Sequence, residues 1–260
     1  MKDSQDFKKL TNLAPIKTIE QLLSSYLVAD CIIEIRGERN HEIKKLAKDS
    51  LPKLNIKNQR AIDLYHRFSN VVNYSPTFVY LCKIGLEDME YYEFSKDPSV
   101  VTSAQQDTSH FNDMLGSSYT LLTNISLEEH TLNVFEKGIL AGEKKGRIMQ
   151  TALPMLACLF HDFGKSSELR TEILGDDLGR GYKAHADVSG TYVREILANK
   201  YHKKFSEHSM ETTEMLSKIV AFHHPGNNKL KNDTMIKFVI EADTVSRKEE
   251  LQKIKKQLNS

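Results

Sequence analysis

A single apolar run that ends in titratable side chains limits what this chain can fold into. The stretch "LPMLACLFHDFGK", residues 153–165, is apolar enough for a buried helix, yet it ends in His161, Asp162 and Lys165. Titratable groups are rarely buried unless they are paired or bound to a metal. Either the helix reaches the surface at His161, where its polar residues are solvated, or a site lies at its end.

The composition favours one broad class of fold and argues against one class of partner. Of the 260 residues, 40% are hydrophobic and 27% charged, which is typical of a soluble globular protein. Tryptophan is absent and proline and glycine are scarce, so a mostly helical chain is favoured over a turn-rich β fold. The formal net charge of +1 excludes a global basic field, so any nucleic acid would have to be held locally.

The cysteines and the apolar runs indicate a cytoplasmic protein without membrane contact. Cys31, Cys82 and Cys158 are odd in number and far apart, which argues against disulfides and against a thiolate zinc site. The first residues, "MKDSQDFKKL", lack the apolar core of a signal peptide. The longest apolar run, residues 152–160, is too short to span a bilayer.

The first part of the chain, residues 1–115, is predicted to form helical segments of unknown role. One of these stretches is interrupted at Ser75-Pro76. Its histidines, His41 and His66, stand among polar neighbours and are interpreted as surface residues. No phosphate-binding loop and no internal repeat is found in it.

From Ser126 onwards, five predicted helices each direct a metal-capable side chain inward. "SLEE" predicts a capping box formed by Ser126 and Glu129, and the helix that it opens carries His130 on its apolar face. The next helix, after Pro154, is expected to end at Gly164, and a later one at Pro225. The inward candidates are His130, His161, Asp162, His185, His223, His224 and Asp243.

Each of these residues alone is weak evidence for a metal site, but their combination is strong evidence. A lone histidine on an apolar face is more often a hydrogen-bonded core residue than a ligand. So many imidazoles and carboxylates cannot share one core unpaired, because desolvation would cost several kcal/mol each. A pair of divalent cations accounts for them all. His202 and His208 lie among polar residues and are interpreted as solvated, and His110 falls outside the pattern.

The order of these motifs resembles the HD superfamily of metal-dependent phosphohydrolases. "EHTLNV", "LFHDFGK", "HADVSG", "AFHHP" and "EADTVS" follow one another as in that family, over residues 120–250. The extra histidines are similar to its two-metal branches, above all to CRISPR-associated HD nucleases and HD-type conjugative relaxases. The resemblance implies an all-α fold, with an HD-domain helical bundle at 116–260 and an additional N-terminal helical region at 1–115. The chain departs from the pattern in lacking a helicase motor and the Gly-Tyr-Pro element of HD-GYP proteins.

The resemblance also implies roles for the candidate residues. One metal would be held by His130, His161, Asp162 and Asp243, and the second by His185, His223 and His224, with Asp162 bridging the two. Imidazole and carboxylate ligands without thiolate suit Mn, Fe, Co, Ni or Zn. Lys165 is either a phosphate contact or a charge interacting with a helix end.

The function expected from this pattern is hydrolysis of phosphodiester bonds by metal-activated water, with Asp162 and Lys165 as catalytic residues. Single-stranded nucleic acid is the expected substrate. Two alternatives remain open: a small-nucleotide phosphohydrolase, and a catalytically silent metal-binding module. The loop "GDDLGRGYK" at 175–183, whose Arg180 and Lys183 could contact a phosphate backbone, is interpreted as a plain flexible loop. The basic C-terminal stretch "RKEELQKIKKQLNS" is interpreted as a solvated helix face.

Overall fold

The fold is built from α-helices. The structure, a computed structural model, describes residues 48–49, 51–100, 121–145, 148–175, 184–203, 210–224 and 233–258. Within these ranges every regular element is helical, and the only extended pairing is an isolated bridge between Pro98 and Ser126. The predicted all-α class is therefore confirmed. Among the same residues, no helix combines the length and the apolarity needed to cross a membrane.

Two helices lie in the part of the N-terminal region that the structure describes. Helix α1 (Gln59–Val71) begins where the Asn58 side chain accepts a hydrogen bond from the Ala61 backbone N–H, at 3.2 Å. Helix α2 (Pro76–Tyr91) begins with proline in its first turn, where no backbone N–H is needed. The interruption predicted at Ser75-Pro76 is thus the junction of two helices. His66 is exposed on α1, as expected.

The next helices form the centre of the molecule. Helix α3 (Leu127–Lys145) begins as predicted, because the Ser126 hydroxyl accepts a hydrogen bond from the Glu129 N–H at 3.1 Å. Helix α4 (Ile148–Phe160) starts earlier than predicted and passes through Pro154. It ends before His161, and a 3-10 turn (Phe163–Lys165) follows. Helix α5 (Ser167–Leu174) is capped by Ser166.

The other described helices follow α5 along the chain. Helix α6 (His185–Thr191) continues through one π-helical turn (Tyr192–Leu197) into α7 (Ala198–His202). Helix α8 (Met210–Ala221) ends before His223, so the expected stop at Pro225 is wrong. Helix α9 (Thr234–Leu258) is the longest that the structure describes.

The helices of both regions share one hydrophobic core. It extends from Ala61 on α1 to Ala242 on α9, with α4 packed against α2, α3, α8 and α9. Arg67 and Glu143 join α1 to α3 through two hydrogen bonds of 2.7 and 2.6 Å. The proposed boundary near residue 115 lies outside the described residues and stays a prediction.

Candidate metal centre

Five segments bring the predicted ligands together. They are α3, the turn after α4, the first residue of α6, the chain after α8, and the middle of α9. Burial of such a cluster costs desolvation free energy unless its polar and charged groups are hydrogen-bonded, paired or bound to a metal. The side chains at the centre are nevertheless almost entirely buried: His130, His161, Asp162, His185 and His223.

Asp162 lies in the middle of the cluster. Its Oδ2 atom is 3.4 Å from His130 Nε2 and 3.3 Å from His161 Nε2. Its Oδ1 atom faces the other way and is 3.1 Å from His185 Nε2. The two oxygens of one carboxylate therefore face two different groups of imidazoles.

Three of the histidines are held through their Nδ1 atoms by acceptors outside the centre. His130 Nδ1 is 2.9 Å from Glu250 Oε1. His161 Nδ1 is 2.9 Å from the Cys158 carbonyl oxygen, and His223 Nδ1 is 2.6 Å from the Val220 carbonyl oxygen. Carbonyls and carboxylates can only accept, so each Nδ1 carries the proton, and each Nε2 of a neutral ring has a lone pair. Metal-binding histidines are held in this way.

The inward atoms of these rings have no hydrogen-bond partner. In the described part of the chain, His130 Nε2, His161 Nε2, His223 Nε2 and Asp243 Oδ1 are buried and form no hydrogen bond. His130 Nε2 is 3.2 Å from Asp243 Oδ1, which is an ion-pair distance, but the two atoms are not aligned for a hydrogen bond. Buried polar atoms are almost always satisfied, so this concentration of exceptions requires an explanation. Cations bound between these atoms, one in each group of ligands, would satisfy all four.

The ligand atoms form two groups, each compact enough for one ion. His130, His161 and Asp162 make one group, and His185, His223 and His224 the other; within each group the atoms lie within 4.8 Å of one another. His185 Nε2 and His224 Nε2 are 2.8 Å apart. The buried His/Asp clusters could therefore hold metal. Asp243 and His224 are partly exposed, so the cluster is open to solvent.

Two basic side chains reach the same carboxylates. Lys165 Nζ is 2.8 Å from Asp162 Oδ2 and 3.2 Å from the Ser99 carbonyl oxygen. Arg247 lies 3.6 Å from Asp162 Oδ2 and 3.7 Å from Asp243 Oδ1, and it donates to Ser99 Oγ at 2.8 Å. Lys165 therefore lies inside the cluster and pairs with Asp162, rather than only neutralising a helix end.

Arg247 and Glu250 were missed by the sequence analysis. They fall within the "RKEELQKIKKQLNS" stretch, which was expected to be a solvated face, but both are buried, with 8% and 3% exposure. That expectation was wrong for these two residues. Asp243, Arg247 and Glu250 are spaced by four and three residues, so one face of α9 carries them all. This spacing is a signal that could have identified them.

The pKa of His130 is raised to about 9. Burial and the Arg247 charge lower it, but the carboxylates of Asp162, Asp243 and Glu250 outweigh both effects. In the absence of metal, the ring is therefore protonated at neutral pH. Metal binding must release that proton, because only a deprotonated Nε2 can be a ligand.

The pKa values of three other residues in the cluster are shifted by the same neighbouring charges and burial. Burial alone would raise the pKa of Asp162, but His161, Lys165 and His130 hold it well below its ordinary value. The pKa of Asp243 is also lowered, since His130 and Arg247 outweigh its burial. Burial and the neighbouring His224, His161 and His185 hold the pKa of His223 well below its ordinary value, so its ring is neutral and ready to bind a cation.

Gly164 allows the 3-10 turn after α4 to approach α6 closely. A Cβ atom at this position would lie 2.1 Å from the His185 carbonyl oxygen and 2.8 Å from Ser189 N. The Gly164 N–H donates to Ser189 Oγ at 2.7 Å. The glycine was expected to end a helix, but its role is to let α6 pack against the 3-10 turn.

Some predicted features lie outside the described residues: residues 176–183 of the loop, together with Cys31, His41, His110, His208 and Pro225. No protein-family model, no curated protein and no solved structure matches this chain.

Proposed function

We propose that this chain is a metal-dependent phosphohydrolase of the HD type, which cleaves phosphodiester bonds by metal-activated water. The observation that carries this proposal is the orientation of Asp162, whose two oxygens face His130 and His161 on one side and His185 on the other. A bridging carboxylate needs this orientation, since it binds two cations at once.

The donor set fits two divalent transition metals, among Mn, Fe, Co, Ni and Zn. When bound, such ions supply Lewis-acid catalysis, by activating water and by stabilising charge that develops on a phosphoryl group. The ligands of the first ion would be His130, His161, Asp162 and Asp243. Those of the second would be His185, His223, His224 and the other oxygen of Asp162.

The charge of the loaded centre supports an anionic substrate. Three carboxylates, from Asp162, Asp243 and Glu250, face the ammonium of Lys165 and the guanidinium of Arg247. Two divalent ions added to this set make the centre positive, so it would attract phosphate. Lys165 is the more accessible of the two basic residues. We propose that it contacts a phosphate oxygen and that Arg247, anchored on Ser99, orients the carboxylates.

Single-stranded nucleic acid is the substrate that we propose. One support is the similarity of "HDFGK", "HADVSG" and "FHHP" to HD nucleases. The other is the partial exposure of Asp243 and His224, because a polymeric substrate needs an open site and could not enter a sealed cavity. Because the net charge is only +1, the electrostatic attraction for nucleic acid would come from the metal centre and not from the protein as a whole.

An activity screen tests the proposal. Chelator-treated protein would be supplied with Mn, Fe, Co, Ni or Zn and assayed on single-stranded DNA, RNA, mononucleotides and a generic phosphodiester. We expect metal-dependent cleavage of an oligonucleotide that weakens as salt rises, because phosphate contacts release counterions. His161→Gln should abolish it, and His66→Gln, an exposed histidine on α1, should not.

Two other outcomes would replace the proposal. Hydrolysis of mononucleotides but of no oligonucleotide would indicate a small-nucleotide phosphohydrolase. Bound metal without activity on any of these substrates would indicate a silent metal-binding module.

A further inference from the structure

Asp243 and Arg247 lie side by side on α9 without forming a hydrogen bond. They are four residues apart, the spacing at which aspartate and arginine side chains meet on one helix. Arg247 Nε is nevertheless 3.7 Å from Asp243 Oδ1, which is too long for a hydrogen bond. In the described part of the chain, Asp243 Oδ1 is buried and has no hydrogen-bond partner. A donor and a buried acceptor this close would gain from pairing, so another contact must hold the guanidinium back.

Ser99 provides that contact. Arg247 Nη1 donates to Ser99 Oγ at 2.8 Å, and Nη2 donates to the Ser99 carbonyl oxygen at 2.9 Å. Two bonds from one planar group to one residue fix both the position and the orientation of the guanidinium. The distances from Arg247 to Asp162 Oδ2 and Glu250 Oε2 are longer, at 3.6 and 3.5 Å. The short hydrogen bonds of Arg247 within the described residues are therefore those to Ser99.

Ser99 is itself fixed in place. It is fully buried. Its backbone N–H donates to the Ile125 carbonyl oxygen at 2.8 Å. Its hydroxyl donates to the Leu122 carbonyl oxygen at 3.3 Å, so the lone pairs of Oγ are left to accept from Arg247. Ser99 is thus an acceptor whose position does not depend on the guanidinium.

From these contacts we infer that Ser99 is a positioning residue, which keeps Arg247 from pairing with Asp243 and so leaves Asp243 Oδ1 free to bind a cation. This role rests on the proposed metal-dependent function. At 3.7 Å the guanidinium still offsets the charge of the carboxylate, because the Coulomb energy falls only as the inverse of distance. A direct hydrogen bond would instead occupy the lone pair that a cation needs. Arg247 therefore balances charge in the cluster without competing for the ligand atom.

A metal titration tests this role without an activity assay. The full chain, stripped by a chelator, would be titrated with Co²⁺ at pH 8 against a chromophoric competitor. Ser99→Ala removes the acceptor of Arg247 Nη1, so the guanidinium can turn towards Asp243. We expect Co²⁺ binding to weaken by about 10–100-fold, the range for loss of a residue that supports a metal ligand.

The same substitution in a second background shows whether Ser99 acts through Arg247. Arg247→Met keeps an apolar side chain of similar length and removes the guanidinium. Ser99→Ala should then have no further effect on Co²⁺ affinity, because no competitor for Asp243 is left. A serine that only stabilised the fold would cause the same loss in both backgrounds, so the double-mutant cycle separates the two roles.

Two further variants complete the experiment. Ser246→Ala removes the hydroxyl of another buried serine, which donates to the Ala242 carbonyl oxygen at 2.9 Å, and it should leave Co²⁺ affinity unchanged. If Ser99→Ala does not fold, Arg247→Lys takes its place. An ammonium keeps the charge but cannot reproduce the planar fork that binds both Ser99 oxygens, so Arg247→Lys should also weaken Co²⁺ binding.

The outcomes separate this role from the proposed function. A wild-type chain that binds no Co²⁺ would remove the proposed function and the role of Ser99 together. A Ser99→Ala protein, or its Arg247→Lys substitute, that binds Co²⁺ as tightly as wild type would overturn the role of Ser99 alone. An equal loss from Ser99→Ala with and without the Arg247 guanidinium would overturn it as well.

Discussion

Asp162 and His185 come from different helical segments, yet the Oδ1 atom of the first lies 3.1 Å from the Nε2 atom of the second. The contact joins the turn after α4 to the first residue of α6. The opposite oxygen of Asp162 faces the imidazoles of His130 and His161. A single carboxylate thus connects the two ligand groups, and the proposed chemistry depends on that connection.

Lys165→Ala should lower turnover without loss of metal. An ammonium cannot be a ligand, so the metal content should stay at the wild-type value. If Lys165 contacts the substrate phosphate, the barrier should rise by about 2–4 kcal/mol, as for removal of one electrostatic stabiliser. Steady-state kinetics and elemental analysis measure the two effects. Lys253→Ala, an exposed lysine on α9, is the control. A fully active Lys165→Ala protein would show that the lysine only pairs with Asp162.

Gly164→Ala should destabilise the protein and disturb the second metal position. The added methyl would collide with the His185 carbonyl oxygen, so α6 would have to move. Overpacking of this kind costs about 1–3 kcal/mol. Thermal or urea unfolding measures the cost, and metal analysis measures the loss of the ion held by His185. Asn199→Ala, at an exposed position of α7, should change neither. Unchanged stability and metal content would show that α6 does not pack on Gly164 as described.

The metal-free protein should lose stability as pH rises from about 6.5 to 9. The pKa of His130 is raised from 6.5 to about 9 in the folded chain, so its contribution is fully present below 6.5 and disappears above 9. The size of this contribution is about 3 kcal/mol. Urea unfolding in the presence of a chelator measures it.

The histidine responsible can be identified by substitution. His130→Gln should flatten the pH dependence between 6.5 and 9, whatever its effect on overall stability, and His66→Gln should preserve it. A His130→Gln protein with the wild-type pH profile would mean that another group titrates in this range.

The sequence predicted the helical class and the residues that meet at the centre, because helical spacing and inward histidines are properties of single segments. His130 and Asp243 lie on helices, as their spacing indicated. His161 and His223 lie just beyond helix ends, and periodicity does not define where a helix stops. Helix α4 also passes through Pro154, since packing on several neighbours overrides a local preference.

The rest of the site could not be predicted because it depends on contacts between distant segments. Glu250 supports His130 across 120 positions of the chain, and Arg247 is anchored on Ser99 across 148. Both lie in a run so rich in charge that its composition indicates a solvated face. The pairing of Lys165 with Asp162 was equally hidden, although the two are only three residues apart, because the turn between them had been expected to be the end of a helix.

The metal content of the protein shows whether Asp162 bridges two cations. Wild-type protein reconstituted with Mn or Ni should contain close to two equivalents by elemental analysis. Asp162→Ala removes a ligand from both ions and leaves their mutual repulsion uncompensated, so its content should fall towards zero. Asp187→Ala, an exposed aspartate on α6, should keep both equivalents. An Asp162→Ala protein that still holds two equivalents would show that Asp162 bridges no cations and that the His161-Asp162 pair is structural.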